Sequence, residues 1–109
     1  MGQKIKKLFW TEPAQKDLQN IYNFFAEISP LLAERQIIRI IDAADLLETR
    51  FERMGQKEPL LADYKQEYRY LIKDNYKIIY HILPSEIIID MVFDTRQNPE
   101  KMKKAVSKR

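Results

Sequence analysis

The sequence contains no cysteine, a single histidine and only two glycines among its 109 residues. Without cysteine the chain forms no disulfide framework and no thiolate zinc site, and one histidine cannot build a metal site alone. We therefore expect a reducing cytoplasm as the natural compartment. The sequence predicts neither a metal nor another cofactor.

Long apolar runs and flexible linkers are missing too. Lysines near the N-terminus are not followed by the apolar core of a signal peptide, and no segment has the length of a membrane span. No Gly/Ser/Pro-rich stretch divides the chain, so we expect one domain over residues 1–109, with 45% hydrophobic residues to form its core. A formal charge of +3 permits contact with nucleic acid or an acidic protein without choosing between them.

The stretch from Glu67 to Glu100 predicts three consecutive β-strands. Apolar and polar residues alternate from Tyr68 to Lys73 with the period of two that one-sided strands show. Asp74-Asn75 tolerates the left-handed backbone of a tight hairpin turn. The runs 76–82 and 86–93 resume the strand pattern, and the nearly continuous apolar character of the second run predicts a central strand covered on both faces.

The first half of the chain predicts a short strand, Lys4–Trp10, and two helices. Thr11 can cap a helix that starts at Glu12, and Ser29-Pro30 ends it and begins a second helix from Leu31 to Arg53. So short a corner should make the two helices pack antiparallel. The stripes expected to be buried are Ala14, Leu18, Ile21, Phe25 and Ile28 in the first helix and Ile37, Ile40, Ala44, Leu47 and Phe51 in the second, widened by Ile38 and Ile41.

The residues after Pro99 predict a short, strongly basic helix with a weak apolar stripe. A terminal run of lysines is more often a frayed, solvated tail than a phosphate-binding arm, so we expect the tail. The sequence as a whole predicts an α+β domain of order β-α-α-β-β-β. In it a small antiparallel sheet carries the two N-terminal helices on one face, and the short C-terminal helix follows.

This order of elements, together with several short motifs, resembles a known family. The chain is similar to the RelE/ParE toxins of bacterial type II toxin–antitoxin systems, and the match runs over nearly the whole sequence. The ending Val92 to Pro99 is its most particular piece. The other pieces are Phe9-Trp10-Thr11-Glu12 with Ala14 and Leu18, Arg69-Tyr70-Leu71, and Asn75 to Tyr80.

The resemblance implies a cytoplasmic toxin that an antitoxin protein neutralises, and it leaves open a homo- or hetero-oligomer with that antitoxin. Members differ in target, since some poison DNA gyrase and others cleave mRNA on the ribosome. Cleaving RNA without a metal needs charge at the phosphate and a group that transfers protons. Arg69, Lys77 and Arg96 would supply the charge in such an endoribonuclease, and His81 is the only candidate for proton transfer.

The residues after Arg96 include no tyrosine or histidine, although the nuclease branch tends to carry an acid–base residue there. This departure favours gyrase inhibition over RNA cleavage, with an inactive antitoxin-binding domain as a third alternative. A histidine on a strand, such as His81, is also more often structural than catalytic.

We expect the sheet face without helices to be exposed and to carry some of the three cations. Whether Arg69 and Lys77 share that face depends on a strand register that the sequence leaves open.

The second predicted helix has a wider apolar surface than one small sheet can cover. Ile38 and Ile41 continue around the helix beyond its main stripe. We expect an antitoxin segment to bind in a groove bordered by the two helices and the sheet, with Ile38 and Ile41 as contacts and a basic rim that attracts an acidic partner. Self-association is the competing explanation.

Overall fold

The fold is a five-stranded sheet with helices on both faces, and the computed structural model describes residues 4–109 of it. The α+β class and the predicted order of the main elements are confirmed. The elements are β1 (Lys7–Trp10), α1 (Glu12–Ala26), α2 (Pro30–Asp45), α3 (Leu47–Arg50), β2 (Gln56–Lys57), a 3₁₀ turn (Pro59–Leu61), β3 (Arg69–Lys73), β4 (Tyr76–Ile82), β5 (Glu86–Asp94) and α4 (Glu100–Lys108).

The strands lie in the order β1-β5-β4-β3-β2. The pairs β3–β4 and β4–β5 are antiparallel, as predicted, whereas β1 joins the sheet parallel to β5. The short β2 pairs with β3 in a segment that the sequence predicts only as a connection. Because β1 flanks β5 on its other side, β5 lies inside the sheet, which confirms the prediction of a central strand.

The predicted two-residue turn joins β3 to β4. Lys73 pairs with Tyr76, and Asp74 between them has the left-handed φ of 54°. Arg39 of α2 donates to both carboxylate oxygens of Asp74 at 2.8 and 2.9 Å. Hydrogen bonding by Arg39 lowers the pKa of Asp74 to about 2. The turn is therefore held from outside by α2 as well as by its own sequence.

Helices α1 and α2 cover one face of the sheet, as predicted. Thr11 caps α1 by accepting a hydrogen bond from the Ala14 backbone at 3.2 Å, and the start of α1 at Glu12 is confirmed. The core on this face excludes water from most of the apolar area of β4 and β5. Its fully buried members are Ala14, Ile40, Ala44, Leu47, Ile78, Tyr80, Ile87 and Ile89.

Three predicted boundaries are wrong in the first half of the chain. The first strand begins at Lys7 and not at Lys4, and α1 ends at Ala26, which leaves Ile28 70% exposed and outside the buried stripe. The single helix predicted to reach Arg53 is interrupted at Leu46 and continues only as the short α3. Leu47 and Phe51 are nevertheless buried as predicted, because the backbone at Leu46 remains helical and keeps them on the sheet side.

The second face of the sheet is covered as well, which contradicts the expectation of an exposed face. Helix α4 and the 3₁₀ turn pack on it and bury a second apolar core. Arg109 donates to both carboxylate oxygens of Asp17 at 2.8 and 3.0 Å and so ties the end of α4 to α1. The expectation of a solvated C-terminal tail is therefore wrong. The buried members of the second core are Leu61, Ile79, Met91, Phe93 and Met102.

Within residues 4–109, every helix is too short or too polar to cross a membrane.

Candidate functional site

Arg69 and Lys77 point to opposite faces of the sheet. Arg69 lies opposite Tyr80 in the β3–β4 pairing, and Lys77 lies opposite Ile72. Directly opposed residues share a face, and successive residues along a strand alternate between faces. Tyr80 belongs to the core under α1 and α2, whereas Ile79, on the Lys77 side, belongs to the core under α4. The register thus separates two cations that a nuclease site would bring together.

Arg69 supports the loop that follows α3. Its guanidinium donates to the Gly55 carbonyl at 3.1 Å and to Glu67 at 3.3 Å, and 22% of its side chain is exposed. Its Nε is buried without a hydrogen-bond partner among residues 4–109. Burial raises the pKa of the neighbouring Tyr80, and the Arg69 charge partly offsets this rise. Most of the Arg69 side chain is therefore shielded from solvent by the protein.

Lys77 neutralises a buried carboxylate on the other face. Its Nζ lies 2.9 Å from Oε2 of Glu58, whose side chain is fully buried, and 4.4 Å from the centre of the Tyr70 ring. The Leu60 backbone donates to Glu58 Oε1 at 3.3 Å. Nothing in the sequence around Glu58 signals a buried acid, because the residue lies in a connection with no periodic pattern. The surroundings of Lys77 indicate a structural role.

His81 forms a close pair with Asp90. Nδ1 of His81 lies 2.6 Å from Oδ2 of Asp90, and both side chains are mostly buried. Ile79 pairs with Met91 and Tyr80 pairs with Ile89, so Asp90 is the extra residue of a β-bulge. Because this pairing depends on the bulge, sequence patterning could not reveal it. Within residues 4–109, no three acidic or histidine side chains are grouped to hold a metal ion.

Arg96 is the most exposed of the four candidate catalytic residues. It lies in the loop after β5 and donates to both carboxylate oxygens of Asp94 at 2.9 and 3.0 Å, with 53% of its side chain exposed. Hydrogen bonding by Arg96 lowers the pKa of Asp94. Asp94 of this pair lines a groove of about 320 Å³ between α1 and the ends of β4 and β5. The groove is lined by Asp17, Asn20, Ile21, Phe24, Tyr76, Val92, Asp94 and Gln97.

The groove runs beside an uncovered edge of β5. The pairing with β1 ends at Ile89, so β5 continues to Asp94 without a neighbouring strand on that side among residues 4–109. The Val92 N–H donates to Asp17 at 2.9 Å, and the Asp90 carbonyl accepts from Arg109 at 2.8 Å. Side chains thus occupy the positions where a further strand would pair.

Ile38 and Ile41 do not line this groove. Ile38 is 49% exposed on α2, and Ile41 is half-buried. Phe24 is the exposed apolar residue at the groove itself, with 57% of its surface accessible. The groove and the two isoleucines therefore belong to different surfaces.

A family model described as the ParE toxin of the type II toxin–antitoxin system parDE matches residues 8–99. This chain belongs to the ParE toxin family. The ParE match covers β1 through β5 and stops before α4. No curated protein sequence matches the chain. Among solved structures, a chain of the chromosomal ParDE toxin–antitoxin system from P. aeruginosa is similar with a TM-score of 0.69 and 19% identity, over 84% of this chain and 97% of that chain. At this identity the likeness shows a shared fold.

Proposed function

We propose that this ParE-family chain is a toxin that inhibits DNA gyrase by binding to it, and that it does not cleave RNA. The observation that carries the proposal is that Arg69 and Lys77 lie on opposite faces of the sheet, and that each of the three cations has a carboxylate partner. A nuclease needs its charges and its proton-transfer group to converge on one phosphate within hydrogen-bond reach. Protein binding needs no such convergence.

The purified chain should inhibit supercoiling by gyrase and leave cell-free translation and its mRNA intact. Arg96→Ala should weaken inhibition by about fivefold or more, because Arg96 is the most exposed of the candidate cations and pairs with Asp94, which lines the groove. Its thermal midpoint should hardly change, since exposed ion pairs contribute little to stability. Lys104→Ala removes another exposed cation, on α4, and is the matched control. Ribosome-dependent mRNA cleavage with unimpaired gyrase would refute the proposal.

We also propose that an antitoxin protein neutralises the toxin by binding in the groove between α1 and β5. The groove combines apolar surface from Ile21, Phe24 and Val92 with a strand edge whose backbone groups bond to the side chains of Asp17 and Arg109. Amphipathic helices and added strands are the usual ways in which a peptide covers such a surface. The similar P. aeruginosa structure is itself that of a toxin–antitoxin system.

Two equally apolar and similarly exposed residues test the antitoxin position. Phe24→Asp should weaken binding of the antitoxin by about tenfold or more, because it places a charge where the bound antitoxin would bury an apolar side chain. Ile38→Asp on α2 should change the affinity little. Calorimetry on the folded variants measures both. The opposite order of effects would place the antitoxin on the surface of Ile38 and Ile41, as the sequence pattern predicts.

A further inference from the structure

An apolar strip runs along the side of α2 that faces away from the sheet. Leu31, Ile38 and Leu46 are 54%, 49% and 42% exposed, and they recur at intervals of about two helical turns. Leu46 follows the last residue of α2 but keeps helical backbone angles, so it continues the strip. The buried residues of α2 lie on the other side of the helix and are Ala33, Ile40 and Ala44.

Two opposite charges lie within this strip. At about 100° per residue, Arg35 and Asp42 fall within roughly 30° of the mean direction of Leu31, Ile38 and Leu46 around the helix axis. The other charged residues near the strip, Glu34, Arg39 and Asp45, lie roughly 50–70° from that direction. Arg35 and Asp42 are both exposed, and neither forms an ion pair within residues 4–109. From Arg35 onward the charge along the helix changes from positive to negative, because Arg35 and Arg39 precede Asp42 and Asp45, whereas Glu34 adds a negative charge before them. Burial, together with the charges of Glu48 and Asp42, raises the pKa of Asp45, so the acidic end carries unfavourable like-charge contacts.

We propose that this strip binds a second copy of the chain, with the two α2 helices antiparallel about a two-fold axis between residues 38 and 39. In this arrangement Leu31 packs against the partner's Leu46, Arg35 pairs with the partner's Asp42, and Ile38 lies at the axis. The midpoint between Leu31 and Leu46 coincides with the midpoint between Arg35 and Asp42. A two-fold axis requires the two midpoints to coincide. It relates the two helices by one rotation, so all pairs of residues that meet across the contact must be centred on the same point of the sequence. A helix from an unrelated partner would not require it.

The geometry also sets the strength of the association. The strip is roughly 22 Å long, from the rise of a helix over the residues between Leu31 and Leu46. A single helix pair of this length buries less than the roughly 1,200 Å² typical of stable interfaces, so the dimer should form in the micromolar range. The strip contains no residue of the groove proposed for the antitoxin. The inference therefore stands apart from the proposed target and from the antitoxin position.

Sedimentation over about 1 to 300 µM tests the dimer. The mass of the wild-type chain should rise above the 13.1 kDa of one copy with increasing concentration. Arg35→Asp and Asp42→Arg should each raise the dissociation constant by about tenfold or more, because each change brings like charges together across the axis. The double variant Arg35→Asp/Asp42→Arg should return it to within about threefold of wild type, since the pair is reversed on both sides.

Lys104→Asp is the matched control, because it changes the net charge as Arg35→Asp does but lies on α4. Circular dichroism confirms that each variant is folded. A wild-type mass that stays at 13.1 kDa over the whole range would overturn the proposal. The proposal would also be overturned if the double variant kept the weakened association of the single variants, or if Lys104→Asp weakened the association as much as Arg35→Asp does. Either result would mean that the weakening does not come from losing the pair between Arg35 and Asp42.

Discussion

Gly55→Ala should lower the free energy of unfolding by about 2–4 kcal/mol. Gly55 has a φ of +81°, a left-handed conformation that costs energy for residues with a side chain. A Cβ at this position would also overlap the hydroxyl of Tyr80 and lie 3.0 Å from its Cζ and 3.3 Å from the Tyr70 carbonyl. Tyr80 is fully buried between the helices and the sheet, so it cannot move aside without disturbing the core.

The effect on thermal stability should be large for a domain of this size. A loss of 2–4 kcal/mol, at about 4–8 °C per kcal/mol, lowers the melting temperature by roughly 10 °C or more. Calorimetric or spectroscopic melting of the two proteins measures it. A melting temperature within about 2 °C of wild type would show that the loop relaxes around the added methyl group.

Tyr80→Phe supplies a control for the overlap. This change removes the hydroxyl that donates to the Met54 carbonyl at 3.3 Å and should cost about 1 kcal/mol alone. In the Tyr80→Phe background, Gly55→Ala should be less destabilising than in wild type, because the hydroxyl is gone and only the backbone cost and closer ring contacts remain. Equal costs in both backgrounds would show that the overlap with the hydroxyl contributes nothing, and would assign the effect to φ and to the remaining close contacts.

Lys77→Met should also be strongly destabilising, by about 2–4 kcal/mol. It leaves the fully buried Glu58 carboxylate without the cation that lies 2.9 Å away. Methionine retains the apolar stem that packs beside Tyr70, so the change isolates the loss of charge. Urea unfolding at neutral pH measures the cost. Stability equal to wild type would mean that water reaches Glu58 in the variant.

The double variant Glu58→Gln/Lys77→Met distinguishes a structural role of Lys77 from a direct role in binding the target. With both charges removed, most of the lost stability should return, because no uncompensated ion stays buried. The stable double variant should then inhibit gyrase as wild type does. If it is folded but inactive, Lys77 acts directly on the target, and its interpretation as a structural residue is wrong.

Much of the fold followed from local patterns. Thr11 and Ser29-Pro30 set the starts of α1 and α2 through capping and proline geometry, which depend on a few adjacent residues. The Asp74-Asn75 turn lies between two alternating runs, so the β3–β4 hairpin was also predictable. The alternation of apolar and polar residues did not predict that β1 runs parallel to β5. Its pairing with β5 joins residues about 80 positions apart in sequence.

The arrangement of the candidate site depended on the strand register and on contacts between distant residues, although Arg69 and Arg96 each pair with a carboxylate two positions away. Residue types alone suggested Arg69, Lys77, Arg96 and His81 as one set, but the register of β3 against β4 separated the first two. The partner of Lys77 lies 19 residues away and that of His81 lies across a bulge. Neither of these two pairings leaves a periodic signal in the sequence, because both depend on how the second core packs.

By itself, then, the sequence determined the α+β class, the order of the elements, the hairpin turn and the family resemblance, because capping, turn chemistry and apolar period act over a few residues. Only the tertiary structure decided that α4 covers the second face, that Arg109 reaches Asp17, and that Lys77 faces the buried Glu58. These outcomes depend on which surfaces meet when distant segments pack, and the physical reason is that burial and charge pairing are properties of the assembled chain.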